Sequence, residues 1–409
     1  MELLGKGIPF LLLPVLTRYL TTDDYGMIAT YNTFVILLTI LIGISASNAV
    51  GVNYFHLGKE ELQKYIGNTF LILVTLAVAF MLSVFCWHDV ITAHLALPEM
   101  WLYIAVTVAF FNTLTQINLI LWRSQQRAKP YALYQLSQSV LNIAISLWLI
   151  ILLDAGWEGR TSGTASAFVI FGLLSAVLIF VRGFAKLSFD KAHIFDALKF
   201  GIPLIPHHLA LWLRSGVDIF LITAFIGISQ TGLYAVGYQF GAIIGILAAA
   251  FNNAYSPHLY ETLKNATEND KIRIVKFTYL AFGTIILLAL ALSLFSYWFI
   301  PIFLGPSFHG AYAFVFWIAL GYAFNGMYLI IVNYIYYIKK TYLLSTVTVS
   351  MGLFHALLSL TLIQFFGAMG AAYATTISFF TTFVLVWRLS SKVFAMPWRY
   401  WRRTGVENA

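Results

Sequence analysis

Long apolar runs separated by short polar joints make up most of the chain. Each run is close to the roughly 20 apolar residues that an α-helix needs to cross a bilayer. The pattern therefore predicts an all-α, polytopic membrane protein with about twelve transmembrane helices. We place these helices at residues 3–20, 27–53, 67–87, 101–122, 131–153, 164–182, 199–227, 232–255, 273–299, 311–335, 342–363 and 370–390.

Basic residues are concentrated in every second joint and in the tail at residues 391–409. The joints on the opposite side contain only Arg18 and Arg160. Because positive loops remain in the cytoplasm, we expect both termini to be cytoplasmic. The longest opposite joint, residues 88–100, is too short to fold as an external domain, so any chemistry must lie within the membrane or at its edge. The tail interleaves aromatic and basic residues, which suits a segment lying on an anionic inner leaflet.

Composition supports the membrane assignment and excludes several classes of site. Of the 409 residues, 60% are hydrophobic and 10% are charged, with a mean hydropathy of +0.83. Cys86 is the single cysteine, so an internal disulfide and a thiolate metal cluster are excluded. No GxxxxGK[ST] loop or HExxH motif occurs, so we expect no nucleotide, metal or other cofactor. Any pumping would use an ion gradient or the gradient of the substrate itself, and the basic excess does not indicate a nucleic-acid partner.

The seventh predicted span, residues 199–227, is the most unusual. On a continuous helix, His207, Arg214 and Asp218 would fall within roughly 20° of one line. An arginine near the centre of a membrane helix costs about 2.5–3.5 kcal/mol on insertion scales, so this polar face must meet water, a partner or a substrate. Two interpretations remain open: an ion pair that only locks helix packing, or a polar cavity used in transport.

Other polar residues also fall inside predicted spans. Hydrogen bonds between helices account for most such side chains, and the remainder should line a wet cavity able to bind a hydroxyl-rich cargo. His207, His208 and His355 could titrate near neutral pH and carry protons, or could be neutral and buried. The amides concerned are Asn48, Asn53, Asn112, Gln116, Asn118, Asn252, Asn253, Asn325 and Asn333.

The two halves of the chain resemble each other at an offset of about 206 residues. The stretch LTRYLTTDDYGMIATYNTF from Leu16 aligns with ITAFIGISQTGLYAVGYQF from Ile222, which places Gly26 opposite Gly232. Shorter matches recur in the same order further along. These matches predict a duplicated six-helix unit.

The duplication predicts a domain organisation. We expect an N-terminal bundle at residues 1–183, a cytoplasmic linker at 184–198 and a C-terminal bundle at 199–390, followed by the basic tail. Six helices return the chain to its starting side, so the two repeats should be parallel, with the substrate between them. At this offset Met1 lies opposite His207, so we expect the first helix to be truncated or the start to be misplaced.

The stretches TRYLTTDDYG and KFGIPLIPHHLALWL, together with the region of Asp218, resemble the polysaccharide transporter family. This family belongs to the multidrug, oligosaccharidyl-lipid and polysaccharide exporter superfamily, and the likeness is strongest to its O-antigen flippases of the Wzx type. The resemblance implies an inner-membrane transporter, not an enzyme, that moves an undecaprenyl-diphosphate-linked oligosaccharide by alternating access. Relatives carry further residues before the KGIPFLLLP segment, and many have an adjacent Asp-Arg pair where this chain has Asp218 followed by Ile219.

The resulting hypothesis gives each candidate residue a role. Arg214, with Lys6 or Arg18, attracts the diphosphate, and Asp218 holds the arginine. His207 belongs to the same cavity. The expected partners are the lipid-linked oligosaccharide, membrane lipids and other polysaccharide assembly proteins.

Protons would be carried by His207, His208 or His355. A multidrug or cation antiporter of the same superfamily is the alternative, and it would favour a cavity dominated by carboxylates. A membrane polysaccharide polymerase is a third interpretation, which would need a large outer loop or an acidic catalytic pair.

Overall fold

The protein is all-helical in the region that its structure describes. The structure, a computed structural model, describes residues 2–399, with the side chains of all but residues 2–9, Leu11 and Leu343. These residues form sixteen α-helices, two short 3-10 segments and no strand. The predicted all-α class is confirmed.

The helices follow one another with short connections. The first ten are α1 Glu2–Tyr19, α2 Thr22–Gly43, α3 Ala46–His56, α4 Lys59–Leu95, α5 Glu99–Ser124, α6 Ala128–Leu153, α7 Gly156–Val181, α8 Lys191–Gly201, α9 Ile205–Ser215 and α10 Val217–Phe225. The remaining six are α11 Ile228–Gly241, α12 Ile243–Lys264, α13 Glu268–Phe303, α14 Tyr312–Tyr337, α15 Tyr342–Phe366 and α16 Ala368–Val393. The 3-10 segments are Ile202–Leu204 and Pro306–Ala311.

The chain is a multi-pass membrane protein. Within the described residues, ten helical segments are long and apolar enough to cross a membrane, and the bent α8–α10 segment makes an eleventh. Each predicted span from the second to the twelfth corresponds to one of these segments. The first predicted span corresponds to α1, which has 18 residues.

The second span begins at a well-defined cap. The Thr21 hydroxyl accepts a hydrogen bond from the Asp24 amide at 3.1 Å, and the Asp24 carboxylate accepts one from the Thr21 amide at 2.8 Å. This reciprocal capping box satisfies backbone donors that a helix end otherwise leaves unpaired. The acidic TTDDYG segment therefore starts this helix, five residues before the predicted start of the span at residue 27.

The seventh predicted span is not one straight helix, so its predicted single polar line is wrong. The chain passes through a 3-10 turn before α9 and bends by 52° between α9 and α10. The break lies at Gly216, where an added Cβ would lie 2.9 Å from the Trp212 indole nitrogen and 3.1 Å from the Thr33 methyl group. The bend separates Asp218 from the helix that carries His207 and Arg214.

The chain divides into two compact units, residues 1–232 and 233–409. In the first unit α2, α5 and α7 pack together, while α9 and α10 pack on α2 and α8 packs on α3 and α4. The seventh span therefore lies in the first compact unit. We predicted that the seventh span begins a second six-helix bundle at residue 199. That assignment and the other predicted domain limits stay predictions. The predicted linker at residues 184–198 contains the first two turns of α8.

The second unit is built around α14, which packs on α12, α13 and α16. Its membrane interior is tied by a hydrogen bond of 2.8 Å from the Asn333 amide nitrogen to the Asn252 oxygen, the type of interhelical contact expected for these amides. Part of the predicted tail also folds onto this unit, because the carbonyl oxygen of Trp398 accepts a hydrogen bond of 2.8 Å from the Tyr279 hydroxyl. Residues 400–409 lie outside the described region.

Two glycines allow the closest helix approach in the first unit. A Cβ added at Gly26 would overlap the carbonyl oxygen of Ile228, and one added at Gly232 would overlap the carbonyl oxygen of Thr22. Thr22 and Ile228 are separated by the same offset as the two glycines, so the contact is reciprocal. This arrangement supports the predicted duplication.

We expect Gly26→Ala to destabilise the protein, because the new methyl group must displace a backbone carbonyl. Overpacking of this kind costs typically 1–3 kcal/mol. Thermal unfolding of the detergent-solubilised protein measures the effect. Gly283→Ala is the matched control, since a Cβ there meets nothing within 4 Å and should leave stability unchanged or raise it by about 0.5–1 kcal/mol. Equal unfolding temperatures for wild type and Gly26→Ala would contradict the close approach.

Candidate functional site

The second span breaks in the middle, between α2 and α3. Ile44 and Ser45 both adopt left-handed backbone conformations, with φ of 34° and 57°. Such conformations cost about 1–2 kcal/mol each for residues other than glycine, and a β-branched residue is especially disfavoured. Strained backbone persists only where the surroundings hold it, and it clusters at functional sites.

Helix α8 holds this break in place. A Cβ added at Gly201, the last residue of α8, would overlap the carbonyl oxygen of Ile44. Only glycine therefore lets the end of α8 pack directly against the left-handed turn. The packing also fixes where the chain continues into α9.

A polar cavity of about 160 Å³ lies beside the break. A water molecule needs roughly 10–15 Å³ measured in this way, so the cavity can hold several. Its walls come from α2, the break itself, α3, α5 and α9. The lining residues are Thr39, Ile40, Gly43, Ser45, Ala46, Ser47, Asn48, Thr113, Gln116 and His208.

The lining offers neutral hydrogen-bonding groups. The Ser45 hydroxyl is buried and has no hydrogen-bond partner among the described residues. The Gln116 amide nitrogen donates a long hydrogen bond of 3.5 Å to the Asn112 side-chain oxygen, and Asn48 also lines the cavity. The lining contains no carboxylate, lysine or arginine. Such a surface is suited to an uncharged, hydroxyl-rich ligand, because an unpaired polar group in this setting costs free energy until it is hydrogen-bonded.

His208 is the one titratable side chain of the lining. It lies in the first turn of α9 and is half-buried, and its ring packs edge-on against that of His207, with centroids 5.7 Å apart. His207 is half-buried but does not line the cavity. Of the two adjacent histidines, the fold therefore brings only His208 to this cavity.

Arg214 and Asp218 lie on either side of the Gly216 break. Arg214 is half-buried in the last turn of α9, seven residues after His207, so these two side chains share a face of that helix. Asp218 is 2% exposed in the first turn of α10. A hydrogen bond of 3.2 Å from the Trp212 indole to the Thr33 carbonyl oxygen ties this region to α2. Neither charged side chain lines the cavity.

The remaining predicted site residues lie elsewhere. Arg18 is exposed in the last turn of α1, and His355 is buried between α15 and α16, with Nδ1 3.1 Å from the Ser378 hydroxyl. The Lys6 side chain lies outside the described region. The fold thus does not bring Arg18 or His355 to the cavity.

One partly buried cation of the structure was not predicted from the sequence. Arg160 was assigned to an outer joint, but it lies inside α7 and donates hydrogen bonds to the side-chain oxygens of Asn142 at 2.6 Å, Ser146 at 2.7 Å and Thr164 at 3.3 Å. Neutral oxygens from α6 and α7 thus solvate the guanidinium. The polar spacing of Asn142 and Ser146, one helical turn apart on α6, was the available signal.

Of the nine amides that the sequence places inside spans, some of which we expected to line a wet cavity, Asn48 and Gln116 line the cavity beside the break. Sequence reasoning missed Thr39, Ser45, Ser47 and Thr113. A serine or threonine in a membrane helix gives no clear signal of a cavity, because its hydroxyl usually donates a hydrogen bond to the backbone carbonyl four residues earlier. Thr39 and Thr113 each make such a bond, to Val35 and Ala109.

A protein-family model, a Haemophilus influenzae protein and several solved structures resemble the chain. A family model described as "Polysaccharide biosynthesis protein" matches residues 1–263. The chain is 28% identical over 344 residues to a Haemophilus influenzae protein described as an uncharacterized membrane protein, covering 83% of this chain and 82% of the relative.

Two solved structures share the fold. A multidrug resistance MATE family transporter of the MOP superfamily, in an inward-facing conformation, has a TM-score of 0.74 at 12% identity, over 95% of this chain and 94% of the other. The lipid II flippase MurJ, in an inward closed conformation, has a TM-score of 0.74 at 16% identity, over 95% and 87%. Sequence identity at this level establishes the architecture alone.

We expect the cavity beside the break to contain water. In a Cys86→Ser background, Ser47→Cys should react with a hydrophilic maleimide at least about tenfold faster than Leu82→Cys. A thiol reacts through its thiolate, which forms in water but not in lipid. Leu82 is the matched control because its side chain is 60% exposed on α4, in the middle of a span. Failure of Ser47→Cys to label in the folded protein would show that the cavity is dry.

Proposed function

The chain belongs to the polysaccharide biosynthesis protein family, and we propose that it is a flippase for a lipid-linked oligosaccharide. In this proposal the substrate is an undecaprenyl-diphosphate-linked unit of an O-antigen or related surface polysaccharide. The protein moves it across the inner membrane by alternating access, driven by an ion gradient. Both termini face the cytoplasm, and other polysaccharide assembly proteins supply and receive the unit.

The neutral, polar cavity beside the broken second span carries the proposal. A neutral sugar presents many hydroxyl groups and no charge, so it is recognised by amides and hydroxyls that can each donate or accept. Asn48, Gln116, Ser45 and Ser47 supply such groups within the membrane interior. An inner surface that hydrogen-bonds hydroxyls replaces the water that the glycan must give up during crossing.

The charged residues of the seventh span act on the lipid end of the substrate in this proposal. Arg214 meets the diphosphate, since a guanidinium forms paired hydrogen bonds with phosphate oxygens. Asp218 maintains the position of this region of the span, and His207 lies on the same face of α9 as Arg214. Lys6 and Arg18 are further candidates for the diphosphate. His208 is the candidate for proton coupling in the cavity, and His355 is a second candidate in α15.

A multidrug or cation antiporter is the main alternative, because a transporter of that class shares the fold. Attraction of a cationic drug favours carboxylates, and the cavity beside the break has none. A polysaccharide polymerase is a further alternative of a different class. Product analysis separates it from a flippase, since a polymerase lengthens the glycan whereas a flippase changes only its leaflet.

Removing the amides of the cavity should impair export without unfolding the protein. We expect a strain that depends on the Asn48→Leu, Gln116→Leu variant to accumulate lipid-linked glycan in the cytoplasmic leaflet and to export about tenfold less. Each lost hydrogen bond costs about 1 kcal/mol, and 1.4 kcal/mol corresponds to a factor of ten. Asn265→Leu is the matched control, an exposed amide at the end of α12. Normal export by the folded double variant would remove the cavity from the mechanism.

Arg214 should be required for its charge. We expect Arg214→Ala to abolish most export, whereas Arg214→Lys should retain a substantial part, because lysine keeps the charge but loses the paired geometry. Export is measured in the same deletion strain, with the amount of folded protein in the membrane as the control. Unchanged export by Arg214→Ala would exclude this residue as the ligand of the diphosphate.

A further inference from the structure

A second polar cavity lies in the first unit, away from the one beside the break. It has a volume of about 560 Å³, is open to the outside, and is lined by Tyr54, Gln125, Arg127, Arg182 and Phe184. These residues lie near the end of α3, in the joint between α5 and α6, and just after α7. The basic joints of the sequence place this end of the helices on the cytoplasmic side.

Arg182 is held rigidly in the wall of this cavity. Its Nη1 donates to the Asn118 side-chain oxygen at 3.2 Å, and its Nη2 donates to the Gln125 side-chain oxygen at 2.9 Å. The guanidinium carbon also lies 5.2 Å from the centre of the Trp122 ring and 4.8 Å from that of Phe184. Contacts with two aromatic rings and two amides fix the orientation of the cation. A guanidinium has more donors than these two acceptors occupy, so donors remain for a ligand.

Arg127 brings a second cation to the same cavity. Its side chain is exposed, and neither arginine forms an ion pair within the described part of the chain. No carboxylate lines the cavity. Burial and, to a lesser degree, the charge of Arg127 lower the pKa of the Arg182 guanidinium from its ordinary value. The positive charges of Arg127 and Arg182 repel each other, since no carboxylate lies beside them in the cavity wall. An anion bound between the two side chains would offset this electrostatic repulsion.

We propose that this cavity binds the phosphate group of a membrane lipid whose headgroup has a net negative charge. Arginine pairs with phosphate through two parallel hydrogen bonds, and basic pockets between helices at the cytoplasmic side suit anionic lipid headgroups. Tyr54 and Phe184 provide an apolar wall for the part of the lipid next to the phosphate. The site is separate from the cavity beside the break, so it stands whether or not the protein is a flippase.

The phosphate group could come from either of two lipids: an anionic phospholipid of the surrounding leaflet, or an isoprenoid lipid with a diphosphate headgroup. Both place a phosphate ester at the membrane surface, with apolar chains below it. The geometry of Arg127 and Arg182 fits the shared phosphate group. The probes must therefore separate the two sources.

Binding to the purified full-length protein in neutral detergent tests the proposal. The probes are phosphatidylglycerol against phosphatidylcholine with the same acyl chains, and farnesyl diphosphate against farnesol. Bound lipid is counted by native mass spectrometry, and affinity is taken from the rise in unfolding temperature with lipid concentration. We expect the phosphate-bearing anionic probes to bind more tightly than their matched neutral or zwitterionic probes, and Arg127→Gln with Arg182→Gln to weaken that binding at least about tenfold.

Arg123→Gln is the matched control, because Arg123 is an exposed arginine in the last turn of α5, next to this joint, and does not line the cavity. It should bind the anionic probes like wild type. Should the double variant fail to fold, Arg127→Gln alone changes only an exposed side chain and should still weaken binding at least about threefold. Tighter binding of phosphatidylglycerol identifies a structural phospholipid, and tighter binding of farnesyl diphosphate identifies an isoprenoid ligand. Equal affinities for wild type, Arg123→Gln and the cavity variants would overturn the proposal.

Discussion

The contact between Gly201 and the carbonyl oxygen of Ile44 governs the geometry of the first unit. It lets the end of α8 pack against a left-handed turn in the middle of a membrane span, where a side chain at residue 201 would not fit. The turn opens the second span, and the path of the chain beyond α8 brings His208 to the opening. The cavity lies beside this turn, and no carboxylate, lysine or arginine lines it. The strain at Ile44 and Ser45 is offset by this packing.

The helices of this protein contain many polar side chains. Some of them form hydrogen bonds with other helices, and others line a cavity. Arg160 is surrounded by neutral oxygens of α6 and α7, and Asn252 and Asn333 pair across a helix interface. These groups have partners and contribute to packing. Asn48 and Gln116 instead line an open cavity and are exposed. Polar side chains that line an open cavity are available to a ligand or to water, which is why the proposed function centres on them.

The positions of the second to twelfth predicted spans agree with the structure because the thickness of the bilayer imposes a length on every apolar run. The duplication stays a prediction, although the contacts of Gly26 and Gly232 are reciprocal at its offset. The breaks were not predictable in the same way. Gly43 precedes the turn, but the two residues with left-handed conformations are Ile44 and Ser45, which seldom adopt them, so the sequence does not predict the turn. The bend at Gly216 removed the predicted alignment of His207, Arg214 and Asp218, since periodicity assumes a continuous helix.

Direct observation of lipid movement tests the central claim. Purified protein is reconstituted into vesicles that contain an undecaprenyl-diphosphate-linked oligosaccharide in one leaflet, and the glycan on each side is measured with a membrane-impermeant enzyme or lectin. The account predicts that the protein moves the glycan to the opposite leaflet with its length unchanged, and that the Asn48→Leu, Gln116→Leu variant does so about tenfold more slowly. A glycan that stays in its original leaflet, or that becomes longer, would contradict it.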